Sequence, residues 1–272
     1  AVSPENPVVL GHASGHAAFA NARAMELAGI GPRTADPPGG TIVRDASGAA
    51  TGLLRENADA LVYAVLAESR AGMAEEERWN ELVRHVRLAG AEALANGVTT
   101  FHDAGPDFAT IDRLRTLADE GGLPVRLYLM VRGESNESMR ARLADYRMVG
   151  YADHFLTVRA IKRQIDGALG SHGAWLLQPY ADMPSSTGLA VEDPEDIEET
   201  ARIAARLGFQ LATHAIGDRA NRVVLDIYER TFAELGAGDR RWRIEHAQHL
   251  HPSDVPRFAE LGVIASMQGV HA

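Results

Sequence analysis

The stretch Gly208-Phe209-Gln210-Leu211-Ala212-Thr213-His214-Ala215-Ile216-Gly217-Asp218 is a short apolar run that ends on a histidine and a polar turn. Trp242-Arg243-Ile244-Glu245-His246-Ala247-Gln248 repeats that pattern further along the chain. A segment of helical character precedes each run. In a β/α barrel, a polar residue at the C-terminal end of a strand faces the active site. Neutral imidazole is a good ligand for zinc and similar divalent ions. Either histidine alone reads equally well as a hydrogen-bonded core residue. Two of them on successive strands point to half of a metal site.

Working outward, strand and helix patterns alternate. Strands are expected at 98–102, 124–131, 155–165, 209–213, 242–246 and 263–267. Helices are expected at 75–96, 111–118, 138–147, 194–207, 218–235 and 253–261, with apolar positions at helical spacing and stops at residues such as Gly97. Repeated βα units imply parallel strands with right-handed crossovers. The expected fold class is α/β: a (β/α)8 TIM-type barrel, incomplete, with six of eight strands. A doubly wound open sheet ranks lower, because no phosphate-cradling glycine-rich loop follows a strand. Residues 1–74 have a different character and read as an accessory or insertion segment; 75–272 read as the central part of the barrel. The first segment holds a strand candidate at Pro7–Leu10, a helix at 21–28 ending on Gly29, and a hairpin with Asp45-Ala46-Ser47-Gly48 at its turn. Arg44, Arg55 and Glu56 read as solvated hairpin charges unless the segment folds over the active site. The chain opens without Met and closes just after an apparent core strand, so a fragment of a longer protein is expected.

The 272 residues suffice for one large domain. A formal charge of -10 lacks the basic footprint of a nucleic-acid partner. With no cysteine, disulfides, thiolate ligands and cysteine nucleophiles are all excluded. No apolar run reaches membrane-span length and no signal peptide is visible, so a cytoplasmic location away from membranes is the expectation.

Ile161-Lys162-Arg163-Gln164-Ile165-Asp166-Gly167 is unusual for a buried strand. Period-two geometry puts Lys162, Gln164 and Asp166 on one face. A lysine inside a barrel needs a partner or a modification, because an unpaired buried ammonium is costly. Carboxylation by carbon dioxide would turn it into a carbamate that bridges metal ions. From the strand pattern alone, a salt bridge to Asp166 or Asp103 is the favoured reading. The following loop, Asp166 to Gly173, is rich in glycine and suits a substrate wall. His102, Gln268 and His271 follow strands and are candidates to line the mouth. His12 and His16 stand four apart, but Gly11 and Gly15 argue for a loop, and Ala13 stands where a His-Glu-x-x-His motif has Glu; metal binding there ranks low.

These motifs, in order, resemble the amidohydrolase superfamily, in particular amidohydrolase family 3, the group often called YtcJ-like. The matching stretches are 14–21, 48–56, 97–105, 162–173, 213–220, 243–248 and 266–268, and they span nearly the whole chain. The resemblance implies a metal-dependent hydrolase in which a metal-activated water cleaves a C–N bond of an amide, N-acyl or formamide-like substrate. It implies one or two divalent ions, zinc above all, held by Lys162, His214 and His246, with Lys162 carboxylated. Those three are also the catalytic candidates. Asp166, His172, Gln268 and His102 become candidate substrate contacts. A homodimer is the partner expectation. The chain departs from the family pattern in having no His-x-His upstream of residue 75 and no strand-eight aspartate. Gly269 stands where Pro is usual, and His172 where Arg is common. The chain on its own is therefore expected to be inactive. A barrel that keeps the fold without the metal, as a scaffold or binding module, is the alternative.

Overall fold

The computed structural model describes residues 3–12, 15–236 and 238–271. Two sheets organise it. The first is antiparallel, in the order β1-β2-β4-β3, built from β1 (Val9–Gly11), β2 (Ala17–Ala20), β3 (Gly40–Arg44) and β4 (Ala50–Glu56). The expected hairpin joins β3 to β4, and Asp45 Oδ1 accepts the Ser47 and Ala49 amides to fix its turn. Helix α1 (Ala22–Leu27) starts on Asn21, whose side chain accepts the Ala24 N–H. Strand β2 and helix α2 (Ala60–Arg70) go beyond the sequence reading. Ala17-Ala18-Phe19-Ala20 has little intrinsic strand preference and is held by pairing on both sides.

The second sheet runs in the order β11-β10-β9-β8-β6-β5. Its strands are β5 (Thr100–Asp103), β6 (Arg126–Val131), β8 (Leu156–Gln164), β9 (Gln210–Ala215), β10 (Arg243–His246) and β11 (Ile264–Ser266). Every pairing along this path is parallel. The short strand β7 (Met148–Gly150) adds antiparallel to β8 at Met148. Helices α3 (Glu75–Ala95), α4 (Phe108–Asp119), α5 (Asn136–Arg142), α7 (Pro194–Leu207), α8 (Asp218–Leu235) and α9 (Val255–Leu261) fill the connections. Between β7 and β8 lies the four-residue turn α6 (Tyr151–His154), left-handed at Ala152, Asp153 and His154. The result is a curled parallel half-barrel, and the six path strands are those expected from the sequence.

One face of the curl packs on helices. Leu129, Val158, Ile161, Leu211 and Ile244 meet Ile111, Ile197, Val224 and Tyr228 in a continuous core. The inner face carries a small cluster of Met130, Ala160 and Ala212.

Strand β8 does not keep one phase. Leu129 pairs with Val158 and Met130 with Ala160, so Arg159 is an extra residue on β8. Before the bulge, Leu156 and Val158 face the helices; after it, Ile161 and Ile165 do. Uninterrupted alternation would have placed Lys162 and Gln164 with Leu156 and Val158. The bulge puts them on the face of Ala160 instead, inside the curl.

Helix α7 shows how a site strand is started. Asp193 accepts the Glu195 N–H, Pro194 opens the helix, and Gly208 closes it in the left-handed region at φ 71. Strand β9 follows at once and delivers His214.

Candidate metal centre

His214 and His246 end adjacent parallel strands, and their register aligns Glu245 with His214. The two rings meet edge to face, with centroids 4.6 Å apart. His214 is 3% exposed. Burial, reinforced by the nearby Lys162 and His246, holds its pKa well below the ordinary histidine value. It is therefore neutral at physiological pH, as a metal ligand must be. Gln268 Oε1 accepts from His246 Nδ1 at 2.8 Å. That bond fixes the tautomer and aims Nε2 away from Gln268, the arrangement by which outer partners orient ligating histidines.

Lys162 is buried, and its Nζ donates to the Arg163 carbonyl at 2.9 Å. This corrects the salt-bridge reading: among the described residues, Lys162 pairs with neither Asp166 nor Asp103. Desolvation, aided by the Arg132 charge, lowers its pKa to about 8. A neutral amine, which carbamate formation requires, is thereby brought close to physiological pH.

Asp166 is fully buried and accepts the Trp175, Ile216 and Gly217 amides at 2.8–2.9 Å. Burial pushes the carboxyl up to about 7, against the pull of those three donors. Its other close neighbour is His214 Nε2, 3.4 Å from Oδ1. The structure thus places Asp166 as a brace between the loop after β8 and the β9–α8 turn. His172, in the left-handed region at φ 57, turns toward Asp182 and Tyr180. His102 stacks on Tyr128 at 4.7 Å inside the curl, and burial, helped by the Arg243 charge, lowers its pKa. Lys162, His214, His246 and Gln268 are brought together at one end of the sheet; His102 packs on Tyr128 and His172 on Asp182 and Tyr180 instead. The side chain of His271 lies outside the described residues.

Four residues of this region were not read from the sequence as site residues. Asn221 is fully buried and its Nδ2 donates to the Ala215, Gly217 and His249 carbonyls, tying the ends of β9 and β10 together. Glu56, read as a hairpin charge, is 5% exposed and reaches across to the loop after β8. Ser171 and His16 both contact it. The signal for Glu56 was present: in β4, Gly52, Leu54 and Glu56 alternate onto the buried face, and a carboxylate there needs partners.

Comparison with known proteins fits this geometry. The model of the amidohydrolase family matches residues 1–272. The chain belongs to that family. Protein LONG AFTER FAR-RED 3 of Arabidopsis thaliana is 38% identical over 99% of the chain and 46% of its own length. N-substituted formamide deformylase of Arthrobacter pascens is 32% identical over 96% of the chain and 48% of its own length. An uncharacterized metal-dependent hydrolase from Pyrococcus horikoshii OT3 superposes with a TM-score of 0.68 at 27% identity, covering 97% of the chain and 49% of that structure. The chain spans about half the length of the curated relatives it matches.

The donor chemistry suits a divalent ion, with two imidazoles, a lysine of lowered pKa and no thiolate. The number of donors falls short. Among the described residues no three His, Cys, Asp or Glu side chains cluster as a metal-binding group. A third ligand has to be of another kind, as modified Lys162 would be, or come from elsewhere.

Proposed function

We propose that this chain is part of a metal-dependent hydrolase that cleaves a C–N bond of the amide, N-acyl or formamide type. The observation that carries the reading is the meeting of His214 and His246 at 4.6 Å on adjacent strand ends, with Lys162 buried on the strand beside them. Family membership and the likeness to a metal-dependent hydrolase support it. The resemblance to a formamide deformylase supports the bond type.

His214, His246 and a carboxylated Lys162 would hold one or two ions, zinc by preference for nitrogen and oxygen donors. A bound divalent ion supplies an acidified water and a charge that polarises the substrate carbonyl. The chain's own residues set the stage. Gln268 orients His246, and burial keeps His214 unprotonated. Asp166 and Asn221 lock the loops that carry both rings. The alternative, a barrel without metal acting as a scaffold or binding module, draws on the name of the Arabidopsis relative, which states no reaction.

Metal content separates the two. Purified chain loaded with zinc and bicarbonate is analysed by plasma mass spectrometry beside the His214→Ala/His246→Ala double variant. Stoichiometric zinc in the parent and none in the variant is expected. A folded parent that holds no more metal than the variant sinks the hydrolase reading for this chain.

A further inference from the structure

The Glu56 carboxylate sits in a slot that the loop after β8 has been shaped to receive. A Cβ on Gly167 would lie 2.1 Å from Glu56 Oε1, and one on Gly173 would lie 2.2 Å from it. Any side chain at either position would force the carboxylate to move from its present place. Within the slot, Ser171 Oγ donates to Oε1 at 2.6 Å and the Ala168 amide approaches the same oxygen at 3.4 Å. The other oxygen, Oε2, accepts from His16 Nδ1 at 2.8 Å. The Glu56 amide also donates to the His16 carbonyl at 3.0 Å. Glu56 itself is held at φ 50, a left-handed conformation that a non-glycine residue adopts at a cost. The His16 ring, so anchored, lies 5.1 Å centroid to centroid from His214.

We infer that Glu56 is a positioning residue: it clamps the antiparallel sheet onto the barrel loop and sets the His16 ring against His214 as a wall of the candidate metal centre. The inference rests on His214 belonging to that centre. A carboxylate offers acceptors only, so Glu56 fixes the His16 tautomer with hydrogen on Nδ1. Three elements distant in sequence then share one carboxylate: the β1–β2 connection through His16, the end of β4, and the 167–173 loop. A solvated hairpin charge would need none of these partners, nor two glycines opposite it.

The test is metal-free, so its outcome is independent of whether zinc binds. Uniformly 15N-labelled full chain is treated with chelator, and its histidine ring resonances are recorded for the parent, Glu56→Gln, Glu56→Asp and Ser171→Ala. The parent should show His16 with hydrogen on Nδ1. Glu56→Gln should shift the His16 and His214 ring signals together, and Glu56→Asp should restore part of the parent spectrum. Ser171→Ala, a milder change on the other side of the clamp, should move the same two rings by less; it keeps the test open if Glu56→Gln does not fold. His16 found with hydrogen on Nε2 in the parent overturns the proposal. So does a His214 ring that does not respond to Glu56→Gln or Ser171→Ala in folded protein.

Discussion

Lys162 is a cation placed where a cation is costly, and its titration makes that measurable. The fall from 10.5 to about 8 corresponds to about 3 kcal/mol of charge stabilisation lost on folding. The sign follows from proton counting. Between about 8 and 10.5 the unfolded chain holds the lysine proton and the folded chain has released it, so stability rises with pH across that window. Metal-free Lys162→Met should therefore be more stable than the parent at pH 7, by up to about 3 kcal/mol. The difference should shrink as pH climbs toward 10. Urea unfolding of both proteins at several pH values checks it, and a gap that stays constant contradicts it. Residues of this kind were unevenly legible. His214, His246 and Lys162 stand out because a polar group on an apolar strand has few bland explanations. Glu56 was half legible: the alternation of β4 puts it on the buried face, but its partners Ala168 and Ser171 lie more than a hundred positions away and no local pattern names them. Asn221 was invisible for a related reason: on helix α8 it resembles any polar residue, and only its four carbonyl partners reveal its work.

At the scale of elements, those with strong local punctuation were the most legible. Helices α7 and α8 fall on 194–207 and 218–235 as expected, because Pro194, Gly208 and Gly217 mark their ends. Elements that depend on neighbours were less so. Strand β2 is imposed by pairing, and the bulge at Arg159 has no sequence signature, though it decides which residues of β8 face inward. Helix α3 offers a test of packing against propensity. Gly90 lies in its interior, where alanine is ordinarily better by about 1 kcal/mol. A Cβ there would come within 2.1 Å of Pro124 Cγ, part of a ring that cannot swing aside. Gly90→Ala should therefore destabilise the protein by about 1–3 kcal/mol, the usual cost of overpacking. Gly72→Ala, which meets nothing within 4 Å, should not. A thermal shift comparison decides, and a stabilised Gly90→Ala would show that α3 moves freely over the sheet.

At the scale of the molecule, the parallel sheet has two outer strands, β5 and β11, each with one strand neighbour among the described residues. Both carry exposed apolar groups. Phe101 is 50% exposed on β5 and Ile264 is 46% exposed on β11. Open strand edges with apolar side chains favour pairing with another chain. The chain should self-associate at micromolar concentration, which would agree with the homodimer expectation. Phe101→Lys and Ile264→Lys should each shift it toward monomer in sedimentation velocity, and a monomeric parent would remove the argument. None of the helices among the described residues is long and apolar enough to cross a membrane.

The Glu56 clamp also has a consequence for the order in which the molecule takes shape. Its bonds to Ala168 and Ser171, with the Asn57 bond to Val191 beside them, close loops of 112, 115 and 134 residues. Loop closure on that scale is entropically expensive until the parts being joined are already ordered. Individual βα units can form from nearby contacts; the wall over His214 cannot. The chemistry-bearing corner is thus a late product of folding, and a refolding chain would regain its helices and most of its core before it regains the pocket. Hydrogen exchange should find the 167–173 loop opening well before β8 does.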